Sequence, residues 1–182
     1  MPVTDRVRDL LAAALRTARF KGRWRVGRLL NRAFALTNPE AVKVRLPEVG
    51  WLRLDLRDRE MLAQTYWVGL SNTDRDSIRL LTRLLDPDAV FVDVGANVGV
   101  YTLALARHLG RGAGRVIAFE PHPTNFRRLQ EHIALNALTN VTAENLGVSD
   151  RPGTLEVAGT EHPGDWSLIS EGPLRFTVAL TT

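Results

Sequence analysis

Two acidic residues and a glycine-rich turn are the residues of this sequence best suited to chemistry. Asp93 begins the heptapeptide Asp-Val-Gly-Ala-Asn-Val-Gly that ends at Gly99, and Glu120 ends the next apolar segment. A carboxylate beside a tight turn attracts a cation, and a carboxylate that ends the following strand can accept both hydroxyls of a ribose. The pair predicts a site for a ligand that carries a positive charge and a ribose.

The turn after Asp93 is expected to be backbone-driven. Gly95 lets the chain reverse where a Cβ would clash, and Gly99 lets the following helix approach the strand and the ligand closely. Ala96 and Asn97 complete the turn, and Asn97 either contacts the ligand or caps the helix. We expect the N–H groups at the start of that helix to be free to donate to a polar ligand.

Two common nucleotide motifs do not fit this turn. A dinucleotide fingerprint, Gly-x-Gly-x-x-Gly, read from Gly95 would require glycine at the positions held by Asn97 and Val100. The Gly-Lys-Ser/Thr of a phosphate-binding loop occurs nowhere in the sequence. Because Asp93 would also repel a pyrophosphate, the pattern favours a ligand with a ribose but without phosphates.

The elements that must position these residues alternate between strand and helix. Short apolar runs and amphipathic segments predict strands over 89–94, 116–119 and 141–148, and helices over 98–109 and 124–136. This order is typical of an α/β fold with a parallel, Rossmann-like sheet and right-handed crossovers. The carboxyl ends of adjacent parallel strands then bring Asp93 and Glu120 together. The nearly continuous apolar run at 89–94 predicts a strand buried on both faces.

Upstream of this region the pattern is less specific. Alternation over 42–56 predicts a β-hairpin or two short strands, and a helix is expected over about 74–85, ended by Pro87. That helix should bury Ile78, Leu81, Leu84 and Leu85 on one face.

Composition excludes several kinds of site. The 182 residues include no cysteine, so disulfides, thiolate zinc sites and a cysteine nucleophile are absent. The four histidines lack metal-ligand spacing, so we expect no metal. No apolar run approaches the ~20 residues that span a bilayer, and no signal sequence is evident at the N-terminus, so a cytoplasmic protein is expected.

The positive charge is concentrated near the N-terminus. Residues 1–50 hold 11 Lys/Arg against 4 Asp/Glu, and residues 51–182 hold 13 against 16. We expect a basic helical segment over 1–38, with an apolar stripe that includes Val7, Leu10, Leu11, Ala14 and Leu15, ahead of a domain over 39–182. The interpretation we favour is a helix packed on its own domain with a solvated basic face. The alternative is peripheral membrane contact through residues 1–36. No nucleic-acid motif accompanies the basic residues, so no nucleic-acid partner is expected.

Three stretches resemble the FkbM family of methyltransferases. They are VFVDVGANVGVY at 90–101, AFEPHPTNFRRLQEHIALN at 118–136 and NVTAENLGVSDRPG at 140–153. The resemblance implies the class I methyltransferase fold, S-adenosylmethionine as cofactor, and methylation of a hydroxyl on a small molecule, sugar or lipid. It also implies roles for individual residues. The methionine side of the cofactor would be lined by Asp93, Gly95, Ala96, Asn97 and Gly99, the ribose held by Glu120, and the adenine approached by Asn145. No residue is implied as the catalytic base.

One part of the family pattern is missing. Members continue into a fourth strand that resembles Ile-Lys-Ile-Asp-Val-Glu-Gly, whereas residues 175–180 here resemble only the segment before it. We therefore expect an incomplete domain in which the strand at 89–94 exposes an apolar edge. The alternative function is a non-catalytic protein that acts through its basic N-terminal segment at a membrane or partner.

Overall fold

The computed structural model describes residues 3–34, 37, 41–57, 61–159 and 174–182. The chain divides into two compact units. One comprises residues 1–47 and 51–77, and the other comprises residues 48–50 and 78–182. The boundary expected from the sequence, between 38 and 39, stays a prediction.

The first unit is mostly helical. Its elements are α1 (Val3–Thr17), α2 (Arg23–Ala33), the strands β1 (Val42–Leu46) and β2 (Gly50–Leu54), α3 (Met61–Val68) and the start of α4 (Asn72–Leu84). The predicted hairpin is confirmed, and Leu52 and Leu54 are its buried alternate positions. Helix α3 was not predicted. It carries no charged residue and is buried around Ala63, Tyr66 and Trp67, so it lacks the polar face that periodicity detects.

Helix α1 buries a different face from the predicted apolar stripe. Its buried residues are Arg8, Ala12 and Leu15, and only Leu15 belongs to that stripe. The Arg8 guanidinium donates to the Tyr66 hydroxyl and to the Asp5 carboxylate at 2.9 Å. The hydrogen bonds of the buried Arg8 guanidinium, rather than burial of the leucines, therefore determine which face of this helix packs against the unit.

The second unit contains the predicted parallel sheet. Its core elements are β3 (Val90–Val94), α5 (Val100–Leu109), β4 (Arg115–Phe119), α6 (Pro123–Leu135) and β5 (Val141–Glu144), with the strands in the order β3-β4-β5. Both strand pairs are parallel, and Asp93 lies beside Ala118. The α/β fold class and the strand–helix–strand alternation are confirmed.

One face of this sheet is packed against helices. Leu105, Ala106 and Leu109 of α5 bury Val116, while Leu129 of α6 packs with Ala118 in a second cluster. Partly buried side chains extend the first cluster, among them Leu81 and Leu85 at the end of α4. Leu84, which was expected on the same face, is exposed instead.

The other face of β3 is open. Val90, Val92 and Val94 are 48%, 51% and 60% exposed. The expectation that β3 is buried on both faces is therefore wrong, because the pleat turns Phe91 and Asp93 towards the helices and the valines away from them. Among the described residues β3 pairs only with β4, so it lies at an edge of this sheet, as expected.

A second, smaller sheet follows. It contains β6 (Gly147–Val148), β7 (Gly153–Gly159) and β8 (Leu174–Thr181), in the order β6-β8-β7. Strand β8 is antiparallel to β7 and parallel to β6. The strand predicted over 141–148 is thus two strands in different sheets. No helix among the described parts of the chain is long and apolar enough to cross a membrane.

Candidate functional site

The turn between β3 and α5 uses three left-handed backbone positions. Gly95, Asn97 and Gly99 have φ angles of 79°, 52° and 92°. Glycine adopts this region freely and asparagine tolerates it better than most residues. The backbone conformation of the turn therefore explains glycine, asparagine and glycine at these three positions without any reference to a ligand.

The turn is tied to the end of β4 by its own amides. The N–H groups of Gly95 and Ala96 both donate to the Phe119 carbonyl, at 2.9 and 3.0 Å. The Asn97 N–H donates to the Glu120 carboxylate at 2.6 Å. These three amides therefore lock the turn against the neighbouring strand.

The two glycines that flank the turn have different surroundings. A Cβ on Gly99 would lie 2.5 Å from Cδ1 of Leu129 on α6, whereas a Cβ on Gly95 would meet nothing within 4 Å. Gly99 is therefore required for packing between α6 and the start of α5. Gly95 leaves open space beside the end of β3.

Asp93 supports the start of α5 from outside the helix. Its carboxylate accepts hydrogen bonds from the Thr102 hydroxyl and from the Thr102 N–H. Thr102 is the third residue of α5, so Asp93 takes the place of an N-cap side chain. Asn97 does not cap this helix, because the N-cap residue is Gly99. Burial raises the pKa of the Asp93 carboxyl above its ordinary value despite the two hydrogen bonds, which act to lower it.

Glu120 is the more enclosed carboxylate, with only 5% of its surface exposed. One oxygen accepts from the His122 N–H at 2.9 Å and the other from the Asn97 N–H, and the Asn125 side chain adds a third hydrogen bond. Burial raises the pKa of Glu120, and the negative charge of Asp93 raises it further. The expectation that the two carboxylates lie at the same end of adjacent strands is confirmed by the register, which places Asp93 beside Ala118, two residues before Glu120.

Two further side chains fix the end of β4. His122 is the N-cap of α6, and its Nδ1 accepts hydrogen bonds from the N–H groups of Thr124 and Asn125. The Asn145 amide donates to the carbonyls of Glu120 and Pro121, at 2.7 and 3.1 Å. Asn145 therefore orients the main chain that carries Glu120, and any contact of Asn145 with an adenine stays a prediction.

Sequence reasoning did not identify Thr102 and Asn125 as part of this site. Each is buried, and each binds one of the two carboxylates. Each is the third residue of its helix, Thr102 in α5 after β3 and Asn125 in α6 after β4. The start of each helix was the available signal, because the first-turn amides of a helix attract a carboxylate.

The residues present fit S-adenosylmethionine. The Asp93 carboxylate is partly buried and would gain from a neighbouring cation, and open space lies beside Gly95. The two Glu120 oxygens offer four lone pairs between them, and the bonds from Asn97, His122 and Asn125 leave acceptor capacity for one more donor. Among the described residues, no group of three or more acidic or histidine side chains could hold a metal ion.

Comparison with known proteins finds similarity to methyltransferases. Residues 93–177 match the family model described as the methyltransferase FkbM domain. The chain is 35% identical over 89 residues to methyltransferase sdnD of Sordaria araneosa, a match that covers 48% of this chain and 34% of that protein. It is 29% identical over 85 residues to methyltransferase 1 of Beauveria bassiana, covering 46% of this chain and 33% of the relative. The chain thus spans about one third of the length of these two relatives.

A third relative and two solved structures extend the comparison. The AMB antimetabolite synthetase AmbE of Pseudomonas aeruginosa is 36% identical over 111 residues, or 61% of this chain and 5% of that protein. The crystal structure of P. horikoshii TYW2 in complex with MeSAdo aligns over 74% of this chain and 53% of its own, with 20% identity and a TM-score of 0.49. That of M. jannaschii TYW2 in complex with AdoMet aligns over 57% and 42%, with 23% identity and a TM-score of 0.44.

Proposed function

We propose that this chain is a methyltransferase of the FkbM family, whose model residues 93–177 match, and that Asp93 and Glu120 hold its cofactor S-adenosylmethionine for transfer of the methyl group to a hydroxyl. The observation that carries the assignment of the site is the pair of carboxylates at the ends of the adjacent parallel strands β3 and β4, each fixed by hydrogen bonds beside the turn. The acceptor class we propose is a hydroxylated small molecule, sugar or lipid.

Asp93 serves the cationic end of the cofactor. A carboxylate whose pKa is raised by burial is stabilised when a positive group replaces the missing water. Thr102 holds this carboxylate in place through its hydroxyl and its N–H. The turn at Gly95, Ala96 and Asn97 forms the wall beside it, and Gly99 keeps α6 against that wall.

Glu120 serves the ribose. Its main-chain and Asn125 donors fix the carboxylate in one orientation, and its remaining lone pair can accept a ribose hydroxyl. Asn145 acts as a positioning residue for Glu120 by holding the carbonyl of that same residue, and contact with the adenine is its further proposed role.

Methyl transfer requires of this part of the chain mainly that it align the cofactor with the acceptor. S-adenosylmethionine supplies a methyl carbon that is already electrophilic because it is bonded to a sulfonium. The residues of the turn bind and orient the cofactor and exclude water around it, which is the main source of acceleration in such a displacement. No described side chain is assigned as the base that removes the acceptor's hydroxyl proton.

Calorimetric titration with S-adenosylmethionine tests the proposal. We expect binding by the unaltered chain, and a loss of about 10- to 100-fold in affinity for Asp93→Asn, the range expected when a hydrogen bond to a charged group is removed. Asp150→Asn is the matched control, because Asp150 is an exposed carboxylate in the same unit. NAD serves as the competing ligand.

Equal affinity of Asp93→Asn and unaltered protein would remove Asp93 from the site. Tight binding of NAD would contradict the methyltransferase assignment for this chain. A folded chain that binds neither ligand would favour the non-catalytic alternative, in which the N-terminal basic segment carries the function.

A further inference from the structure

Helix α1 presents an apolar stripe to solvent. Val7, Leu10 and Leu11 are 45%, 70% and 39% exposed, and Ala14 continues the same face. Spacings of three and four place these residues side by side on the helix. The helix packs on its own unit through another face, so the exposure of these aliphatic side chains is not a sign that it lies detached.

The hydrogen bonds of the buried face keep the stripe outside. Arg8 donates to the Tyr66 hydroxyl and to the carboxylates of Asp5 and Asp9, and Arg16 donates to the Tyr66 carbonyl. Rotating α1 to bury its leucines would strip the buried Arg8 of these partners. The unit is therefore built to hold the aliphatic residues at its surface.

Positive charge is concentrated in the segment that follows this stripe in the sequence. Residues 10–37 contain seven arginines and lysines and no acidic residue. Five of the seven are exposed, namely Arg19, Lys21, Arg25, Arg28 and Arg32. The nearest acidic residues of α1, Asp5 and Asp9, are both paired with Arg8. Phe20 and Leu29 add exposed apolar side chains within the same basic segment.

We propose that this basic apolar surface, formed by the exposed residues of α1 and α2, binds an anionic phospholipid membrane. Helices that lie at a membrane interface combine exposed aliphatic side chains, which enter the acyl boundary, with arginines and lysines that meet the lipid phosphates. A nucleic acid would bind the cations through its phosphates, but the exposed leucines would add little to its affinity, because that affinity comes mainly from phosphate contacts. The aliphatic stripe therefore decides between the two polyanions.

Co-sedimentation of the full chain with vesicles tests the proposal. Phosphatidylcholine vesicles containing phosphatidylserine should pull the chain down, and pure phosphatidylcholine vesicles should do so weakly. Leu10→Gln with Leu11→Gln should lower the partition coefficient at least about tenfold without any change in charge. Arg25→Gln with Arg28→Gln should lower it about 25-fold, because each cation near an anionic surface contributes about fivefold.

Two double variants elsewhere in the chain are matched controls. Leu80→Gln with Leu84→Gln alters leucines of α4 that are 56% and 69% exposed, and Arg111→Gln with Arg127→Gln removes two exposed arginines of the second unit. Both should bind vesicles as the unaltered chain does. Thermal melts establish that every variant is folded.

Three results would overturn the proposal. They are equal binding to vesicles with and without phosphatidylserine, unchanged binding of the leucine variant, and an equal loss in the control variants. Binding of an RNA oligonucleotide that the arginine variant loses and the leucine variant keeps would, in the absence of vesicle binding, assign the surface to nucleic acid instead.

Discussion

At the scale of single residues, the two carboxylates of the site differ in how they are held. Asp93 accepts both of its hydrogen bonds from Thr102, whereas Glu120 accepts main-chain hydrogen bonds on both of its oxygens. An amide can replace a carboxylate without loss only where one oxygen suffices as acceptor. The two positions should therefore respond differently to the same kind of substitution.

We expect Asp93→Asn to leave the free energy of unfolding unchanged or higher at pH 7, and Glu120→Gln to lower it by about 1–3 kcal/mol. The folded-state pKa of Asp93 lies above its ordinary value of 3.8, so ionisation of Asp93 costs stability once the pH rises past that value. Asparagine avoids this cost and can still accept from the Thr102 N–H. In Glu120→Gln, the new NH₂ faces the N–H of either Asn97 or His122.

Urea denaturation at several pH values measures both effects. Any excess in the free energy of unfolding of Asp93→Asn over that of the unaltered chain should become smaller as the pH falls towards 4. Glu144→Gln is the control for Glu120, since Glu144 is an exposed carboxylate on the neighbouring strand. A large loss of stability in Asp93→Asn would show that the Asp93 carboxylate is structural.

At the scale of elements, the turn between β3 and α5 depends on backbone conformation and on the approach of α6. Gly95 and Gly99 both have positive φ angles, but only Gly99 faces a side chain of another element. Substitution of each glycine by alanine should therefore separate the cost of backbone strain, present at both positions, from the cost of a side-chain overlap, present only at Gly99. It should also show which glycine bears on ligand binding.

We expect Gly95→Ala to cost about 1–2 kcal/mol, from the left-handed backbone alone. Gly99→Ala should cost about 1–3 kcal/mol more, because the new Cβ overlaps Cδ1 of Leu129. Leu129→Val removes that atom, so its cost should be smaller in the Gly99→Ala background than in the unaltered chain. A double-mutant cycle by chemical denaturation measures the coupling, and strictly additive losses would contradict the contact.

The cap of α6 should make stability depend on pH near neutrality. Burial lowers the pKa of His122 below its ordinary value of 6.5, and the positive charge of Arg128 lowers it further. The unfolded chain therefore takes up a proton near pH 6.5 that the folded chain accepts only at lower pH, so stability is full above 6.5 and falls as the pH drops through it. The slope from one group is at most about 1.4 kcal/mol per pH unit.

Replacement by asparagine tests this dependence, because asparagine caps helices well and does not titrate. We expect the free energy of unfolding of His122→Asn to change less between pH 7 and pH 6 than that of the unaltered chain. Thermal unfolding across this range provides the measurement. Identical slopes in the two proteins would mean that His122 does not titrate as a cap.

At the scale of the whole molecule, the open face of β3 is the feature that sets this chain apart from a closed α/β sheet. Parallel sheets are ordinarily covered on both faces. Here Val90, Val92 and Val94 stand exposed, while the face with Phe91 and Asp93 is packed against helices. Contiguous apolar side chains on a strand promote association.

We expect the isolated chain to self-associate through this face as its concentration rises. Val92→Thr with Val94→Thr should reduce the self-association, because threonine keeps the shape and strand preference of valine and adds a hydroxyl. Val148→Thr, at an exposed valine of the second sheet, is the control. Sedimentation velocity measures the association. A chain that stays monomeric at every concentration would contradict the prediction.

The sequence by itself determined the local parts of this structure. The apolar periods and the glycines fixed the order strand, turn and helix, because strand pairing, helix capping and left-handed turns respond to neighbours along the chain. The same order placed Asp93 and Glu120 at the ends of adjacent strands. The resemblance to FkbM methyltransferases, carried by those short blocks, was confirmed over residues 93–177.

Only the tertiary structure decided which groups meet. The Asn97 amide is taken by Glu120, Thr102 holds Asp93, and Gly99 faces Leu129, none of which periodicity specifies. In α1 the side chain of Arg8 is buried and those of Leu10 and Leu11 are exposed, because a buried guanidinium needs hydrogen-bond partners. One of these partners is Tyr66, which is distant in the sequence. Likewise four of the five residues of β3 are apolar, yet which of its faces is covered depends on the helices that pack against it.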